Sequence, residues 1–152
     1  MEKEKEVQGE KPVRRTIKVL VAIDGSEIGD VIIKRSGQFQ RSTGCELTVL
    51  VVIDNVISHR TIPDNPVARE RVKEAEEILN KASASLGSHG VNCNARVAMG
   101  PIAGEILRIA EEERFDIIFV GSRGFGGIKR MFLGSVADTV LRQAHCSVML
   151  VR

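Results

Sequence analysis

Residues 121–135 read GSRGFGGIKRMFLGS, Gly121 to Ser135. The apolar run Ile117-Ile118-Phe119-Val120 leads into this stretch, and an apolar periodic segment follows it. Four glycines fall in its first seven positions, and it ends on Gly134-Ser135. The pattern is a buried strand, a glycine-rich loop and a capped helix start. Arg123, Lys129 and Arg130 lie in the loop, and no carboxylate occurs between Asp116 and Asp138. Glycines let backbone N–H groups face a ligand without Cβ obstruction. A helix N-terminus adds unpaired N–H groups and the positive end of a dipole. A tight, well-capped turn would use the same glycines. The missing acids, the three cations and the closing Gly-Ser weigh toward a polyanion, most simply the phosphates of a nucleotide. Neither G-x-x-x-x-G-K-[ST] nor G-x-G-x-x-G is met, because Lys129 stands where the last glycine of the second would fall.

Outward from the loop, strands alternate with helices. The first strand spans Ile17 to Ile23 and ends in Asp24-Gly25-Ser26, with Ser26 as a helix cap. A helix follows to about Arg41, with Ile28, Val31, Ile32, Arg35 and Phe39 along one side. The second strand is Glu46 to Ile53. After a polar connection, Asn65-Pro66 opens a helix to about Leu86 that buries Val67, Val72, Ala75, Ile78, Leu79 and Ala82. Val91 to Ala98 alternates as an edge strand does. Gly100-Pro101 opens a helix to about Arg114. Asp116 to Val120 is the fourth strand, Ser135 to Ala144 the last helix and Cys146 to Val151 the last strand. Near-continuous aliphatic runs suit strands covered on both faces. The expected fold is a doubly wound α/β domain, a five-stranded parallel sheet in order 3-2-1-4-5 with helices on both faces. Ligands in such sheets bind at the carboxyl ends of strands where the winding reverses. That point lies between strands one and four, so Asp24 and Gly121 should flank one crevice. Asp24 has two readings here. It is an Asp-Gly-Ser turn residue, or an acceptor for ribose hydroxyls or a partner for a metal. Val52, at the end of strand two, is core or a backbone contact for an adenine edge.

Composition limits the alternatives. The chain has 152 residues, 43% hydrophobic and 28% charged, enough for one domain with a sizeable core. Aromatics are 3%, with no Trp or Tyr, which argues against base stacking on single strands. A net charge of +2 gives little pull toward nucleic acid or acidic membranes. No apolar run approaches a membrane span and the charged start is no signal peptide, so a cytoplasmic protein is expected, with neither nucleic acid nor membrane as a partner. Residues 1–15 read as a disordered charged tail and 16–152 as the domain. Cys45, Cys93 and Cys146 are odd in number and far apart, and His59, His89 and His145 are equally scattered. Neither set has the spacing of a disulfide framework or zinc site.

The spacing Gly121-x2-Gly124-x9-Gly134-Ser135, with VAIDGSE in strand one, VVID in strand two, IIFVGSRG in strand four and the closing SVMLV, resembles the nucleotide-binding signature of universal stress proteins. The resemblance covers Ile17 to Val151. It implies a doubly wound domain of the ATP-binding branch that dimerises through its last strand. Carried onto this chain, it places Ala22 and Asp24 at ribose and base and Val52 at adenine. Gly121, Arg123, Gly124, Gly134, Ser135 and Val136 would surround the phosphates, and Val120 completes the cofactor-binding set. Arg123 occupies a variable position of the pattern.

The implied cofactor is ATP, or AMP or ADP, with Mg²⁺ or Mn²⁺, since a triphosphate needs more neutralisation than three mobile cations supply. Two functions are open: a nucleotide-dependent regulatory or stress-response module acting on an unknown protein partner, or a slow ATPase or phosphoryl or nucleotidyl transferase in the same crevice. Phosphate donors without an obvious base favour the module, and no catalytic residue is assigned. An empty-pocket scaffold is the third, weaker option. The resemblance implies stress response; the residues do not identify the signal.

Overall fold

A computed structural model describes residues 15–54, 66–123 and 133–152. The strands are β1 (Lys18–Ile23), β2 (Glu46–Ile53), β3 (Asn94–Met99), β4 (Ile117–Gly121) and β5 (Ser147–Val151). The helices are α1 (Glu27–Thr43), α2 (Pro66–Gly87), α3 (Ile102–Glu112) and α4 (Ser135–Gln143). All strand pairs are parallel and the sheet order is β3-β2-β1-β4-β5. This is the expected doubly wound sheet.

Alternate residues of the central strands feed two separate cores. Val19, Val21, Val49, Val51 and Phe119 point toward α1 and α2, where Ile32, Ile33, Leu79 and Leu86 cover them. Leu20, Ala22, Leu50, Ile118 and Val120 point toward α3 and α4, under Ile106, Ile109, Ala137 and Val140. Being covered on both faces is what the unbroken aliphatic runs require.

The amino end of the sheet is tied by Asp116. Its carboxylate accepts the Lys18 N–H at 2.8 Å and pairs with Arg15, read above as the end of the tail. Its own N–H donates to the Lys18 carbonyl at 2.8 Å, and its carbonyl accepts from Ser147 at 3.2 Å. One residue thus sets the starts of β1, β4 and β5 level.

Several local expectations are corrected. Helix α1 buries Gly29, Ile32, Ile33, Ser36 and Gly37, whereas Val31 and Arg35 are exposed. Small residues face inward because α1 lies close to its neighbours: a Cβ on Gly37 would stand 2.9 Å from a methyl of Leu86. Val67 is 60% exposed rather than buried. Strand pairing in β3 begins at Thr48↔Asn94. Val91 is buried but belongs to the turn after α2, its N–H donating to Leu86 at 3.1 Å. Cys45, Cys93 and Cys146 are free thiols.

Candidate functional site

The crevice is built by where the ladders stop. The β1/β4 ladder runs from Val19↔Ile117 to Val21↔Phe119 and ends. On its outer side β1 stays paired to Ile23↔Val51, and β4 stays paired to Gly121↔Val151. Beyond Val21 and Phe119 the two central strands therefore part, each held by its outer neighbour. This is the geometry of a switch-point crevice. Ala22 and Val120 come next along the two strands, and both belong to the α3/α4 core.

Val52 and Val136 are half-buried and pack on that same core. Four of the sequence-assigned residues thus share one face of the sheet: Ala22 and Val120 from the floor, Val52 from β2, Val136 from the first turn of α4. Ala98, paired with Val52 in the β2/β3 ladder, and Ile102 at the start of α3 join them. These two were missed in the sequence because they read as ordinary strand and helix residues. Their shared cluster with Val52 exists only after folding. All six belong to or pack against the α3/α4 core, an apolar wall of the kind that receives a flat heterocycle.

The polar residues lie at the rim. Asp24 is exposed, and one of its carboxylate oxygens accepts the Ser26 N–H at 3.0 Å and the Ser26 hydroxyl at 2.5 Å. The turn reading of Asp24 is therefore realised, and its second oxygen is left for another donor. Ser26 occupies the cap position of α1 without a side-chain cap bond, because its hydroxyl serves Asp24. Gly134, not Ser135, is the cap residue of α4, again with no side-chain cap bond. Ser135 is the first helical residue and is exposed. The capped helix start read at Gly134-Ser135 is thus present with Gly134 as its cap residue.

The two ends of the glycine loop meet. Gly134 N–H donates to the Ser122 carbonyl at 2.8 Å. A Cβ on Gly134 would lie 3.3 Å from that oxygen and 3.5 Å from the Cα of Arg123. A Cβ on Gly121 would meet the Arg123 carbonyl at 3.0 Å as well as Ile28 at 3.0 Å and Ile32 at 3.2 Å on the α1 side. Gly121 is thus required both by the packing of α1 and by the backbone at the loop neck, and Gly134 by the close approach at that neck. Arg123 is exposed beside the neck. Gly124, with Lys129 and Arg130, lies outside the described residues. Asp138, in the first turn of α4, is gripped by Arg142 Nε at 3.0 Å to each oxygen, and this carboxylate raises the Arg142 guanidinium above its ordinary value.

No group of three or more His, Cys, Asp or Glu residues suited to a metal occurs among the described residues. Among the described residues, Asp24 offers one carboxylate oxygen that a cation carried by a ligand could share. An open cleft of about 660 Å³ at the amino ends of β4 and β5 is lined by Arg15, Glu111, Arg114, Asp116 and His145, among others. It lies at the pole opposite the crevice. Mixed charges and the C-terminal end of α3 make it a poor site for a polyanion.

The universal stress protein family model matches residues 16–152. The chain belongs to the universal stress protein family. Universal stress protein YxiE of Bacillus subtilis is 32% identical over 145 residues, covering 89% of this chain and 98% of that one. Among solved structures, hypothetical protein MJ0577 superposes with a TM-score of 0.79 at 28% identity, covering 88% of this chain and 94% of its own. A universal stress protein from Archaeoglobus fulgidus, solved in complex with dAMP, has a TM-score of 0.68 at 22% identity, covering 90% and 98%. The universal stress protein fold accounts for the whole described sheet. Among the described residues no helix is long and apolar enough to cross a membrane.

Proposed function

We propose that this universal stress protein binds an adenine nucleotide, ATP with Mg²⁺ or Mn²⁺, in the crevice between β1 and β4. The protein then acts as a nucleotide-dependent regulatory or stress-response module. The observation that carries this is the parting of β1 and β4 after Val21 and Phe119, at Ala22 and Val120, whose core Val52 and Val136 also pack against. The base rests on that apolar wall, the ribose hydroxyls reach the open oxygen of Asp24, and the phosphates lie over the loop neck and the α4 N-terminus. The dAMP bound by the Archaeoglobus fulgidus relative supports an adenine ligand.

The module works as a homodimer paired through β5 in the cytoplasm, its nucleotide state read by a protein partner. The contrast between the two sheet edges supports β5 as the pairing strand. Edge strand β3 is guarded by the Arg96–Glu113 ion pair and by Asn94 bonded to Glu46. Edge strand β5 carries Val148, Met149 and Leu150. Charged edges resist strand addition and apolar ones accept it.

The test is to denature the purified protein and identify what it releases, then to titrate stripped protein with ATP, AMP and cAMP with and without Mg²⁺. Release of an adenine nucleotide and metal-enhanced ATP binding are expected. No binding of any of the three would overturn the reading.

A further inference from the structure

The last residue of the sheet and the neck of the glycine loop are joined by one relay of backbone hydrogen bonds. The Val151 carbonyl accepts from Ser122 N–H at 2.8 Å, the Ser122 carbonyl from Gly134 N–H at 2.8 Å, and the Gly134 carbonyl from Asp138 N–H at 2.9 Å. The relay crosses from edge strand β5, through the neck, into the first turn of α4. Its first two members are shielded: Val151 is 6% exposed and Ser122 8%. A buried donor left without its acceptor carries a full desolvation penalty, so these bonds hold position strongly. The Val151 side chain sits in the α1/α2 core with Phe119 and Ile32. The carbonyl that starts the relay is therefore fixed by packing on the face opposite the apolar wall.

We propose that Val151 is a positioning residue of the nucleotide site, acting through Ser122 on Gly134. The proposal rests on the adenine-nucleotide reading above and adds how that site is held ready. Without the Val151 carbonyl, Ser122 loses its acceptor and the neck is no longer held in place. Gly134, Ser135 and Val136 then shift relative to Gly121, and the ligand must order them as it binds. By linkage, a ligand gripping the neck steadies the end of β5, and a partner gripping β5 tightens the neck.

The test is calorimetric titration of ATP with Mg²⁺ into wild type, Val151→Ala and a deletion of Val151 and Arg152. Val151→Ala trims the buried side chain and keeps the carbonyl; the deletion removes both. The deletion should weaken ATP about tenfold or more, and Val151→Ala less than about twofold despite a lower Tm. Equal losses in the two variants, or no loss in the deletion, overturn the proposal. Should the deletion not fold, amide exchange of the wild type decides. ATP should slow Ser122 together with Gly134, while Glu46, whose N–H donates to Ile17 at the far pole, stays unchanged. Slowing at Gly134 alone, or at neither, overturns it. A wild type that takes up no adenine nucleotide overturns the underlying reading itself, and the first titration reveals that separately.

Discussion

One oxygen of the Asp24 carboxylate accepts both the N–H and the hydroxyl of Ser26, and the other has no partner among the described residues of this exposed turn. Asp24→Asn separates the two roles. The asparagine carbonyl keeps the turn, while its NH₂ replaces the free acceptor with a donor. We expect an unchanged Tm and ATP affinity reduced about tenfold, the loss of one charge-assisted hydrogen bond. Wild-type affinity in calorimetry would return Asp24 to a turn residue alone.

Gly134→Val probes the neck. Its Cβ would crowd the Ser122 carbonyl at 3.3 Å, and its branches would occupy the approach to the α4 N-terminus. ATP binding should fall below detection, with a moderate drop in Tm from the crowding. Gly134→Ala adds only the Cβ and should keep measurable affinity. If the valine variant bound ATP as wild type does, phosphate would have to lie elsewhere.

The β5 edge offers a probe that spares the core. Val148 and Leu150 are half-buried against the α3/α4 cluster, so lysine at either position damages the monomer as well. Met149, between them, is 39% exposed. Met149→Lys should shift sedimentation equilibrium from dimer toward monomer while leaving the Tm of the isolated subunit nearly unchanged. A wild type that sediments as a monomer at micromolar concentration, the order of a routine assay, would remove β5 pairing from the proposed function.

Glu105 gives the fold a measurable acid dependence. Arg108 donates to both of its oxygens, at 3.1 and 2.7 Å. That hydrogen bonding, outweighing burial, holds the Glu105 carboxyl below its ordinary value of 4.5. The folded value is the depressed one, so the pair stabilises the fold above the ordinary value. That contribution is lost as pH falls through the folded value. Glu105→Gln should be slightly less stable than wild type in urea at pH 7, and the two should converge on acidification below the carboxylate range. The effect is small because Arg108 is well exposed. A gap that persisted or widened in acid would assign it to packing against Gly100, whose Cβ position the Glu105 side chain fills.

How much of this was legible beforehand depends on what each signal measures. The covered parallel sheet followed from unbroken aliphatic runs alternating with helical periodicity, because only a sheet covered on both faces buries every residue of Val19–Ile23. Periodicity counts large residues, so it aligned Val31 and Arg35 with Ile28, Ile32 and Phe39 along one side of α1 and missed Gly29, Ser36 and Gly37, where close packing selects small ones. The glycine spacing located the loop and its neck, where both Gly121 and Gly134 face backbone, but it gave no sign that Gly121 also makes room for Ile28 and Ile32 of α1. Ser122 was invisible as a functional position. Its part is played by backbone N–H and carbonyl, which every residue type possesses. Ser26 and Ser135 matched the composition of caps, yet the hydroxyl of Ser26 found a nearer acceptor in Asp24 and α4 opened on Gly134.

ATP held in this crevice should turn over slowly. Phosphoryl transfer needs an oriented nucleophile as well as charge stabilisation. At the described edges of the loop, residues 120–123 and 133–137, there is no Asp, Glu or His. Among the described residues, Asp138 is held through both oxygens by Arg142, and Asp24 is engaged through one oxygen by Ser26. Ser135 has an exposed hydroxyl at the helix start, but none of the three acids or bases a proton transfer would use stands beside it in sequence. Arg123 and the backbone donors can stabilise charge, yet without positioning of water most of the available acceleration is absent. Turnover should therefore fall well below the ~1 s⁻¹ lower end typical of kinases. Single-turnover hydrolysis of bound ATP with Mg²⁺ measures it, with Gly134→Val as the control for contaminating ATPase. Fast turnover in the wild type that vanishes in the variant would make this universal stress protein an enzyme rather than a nucleotide-held switch.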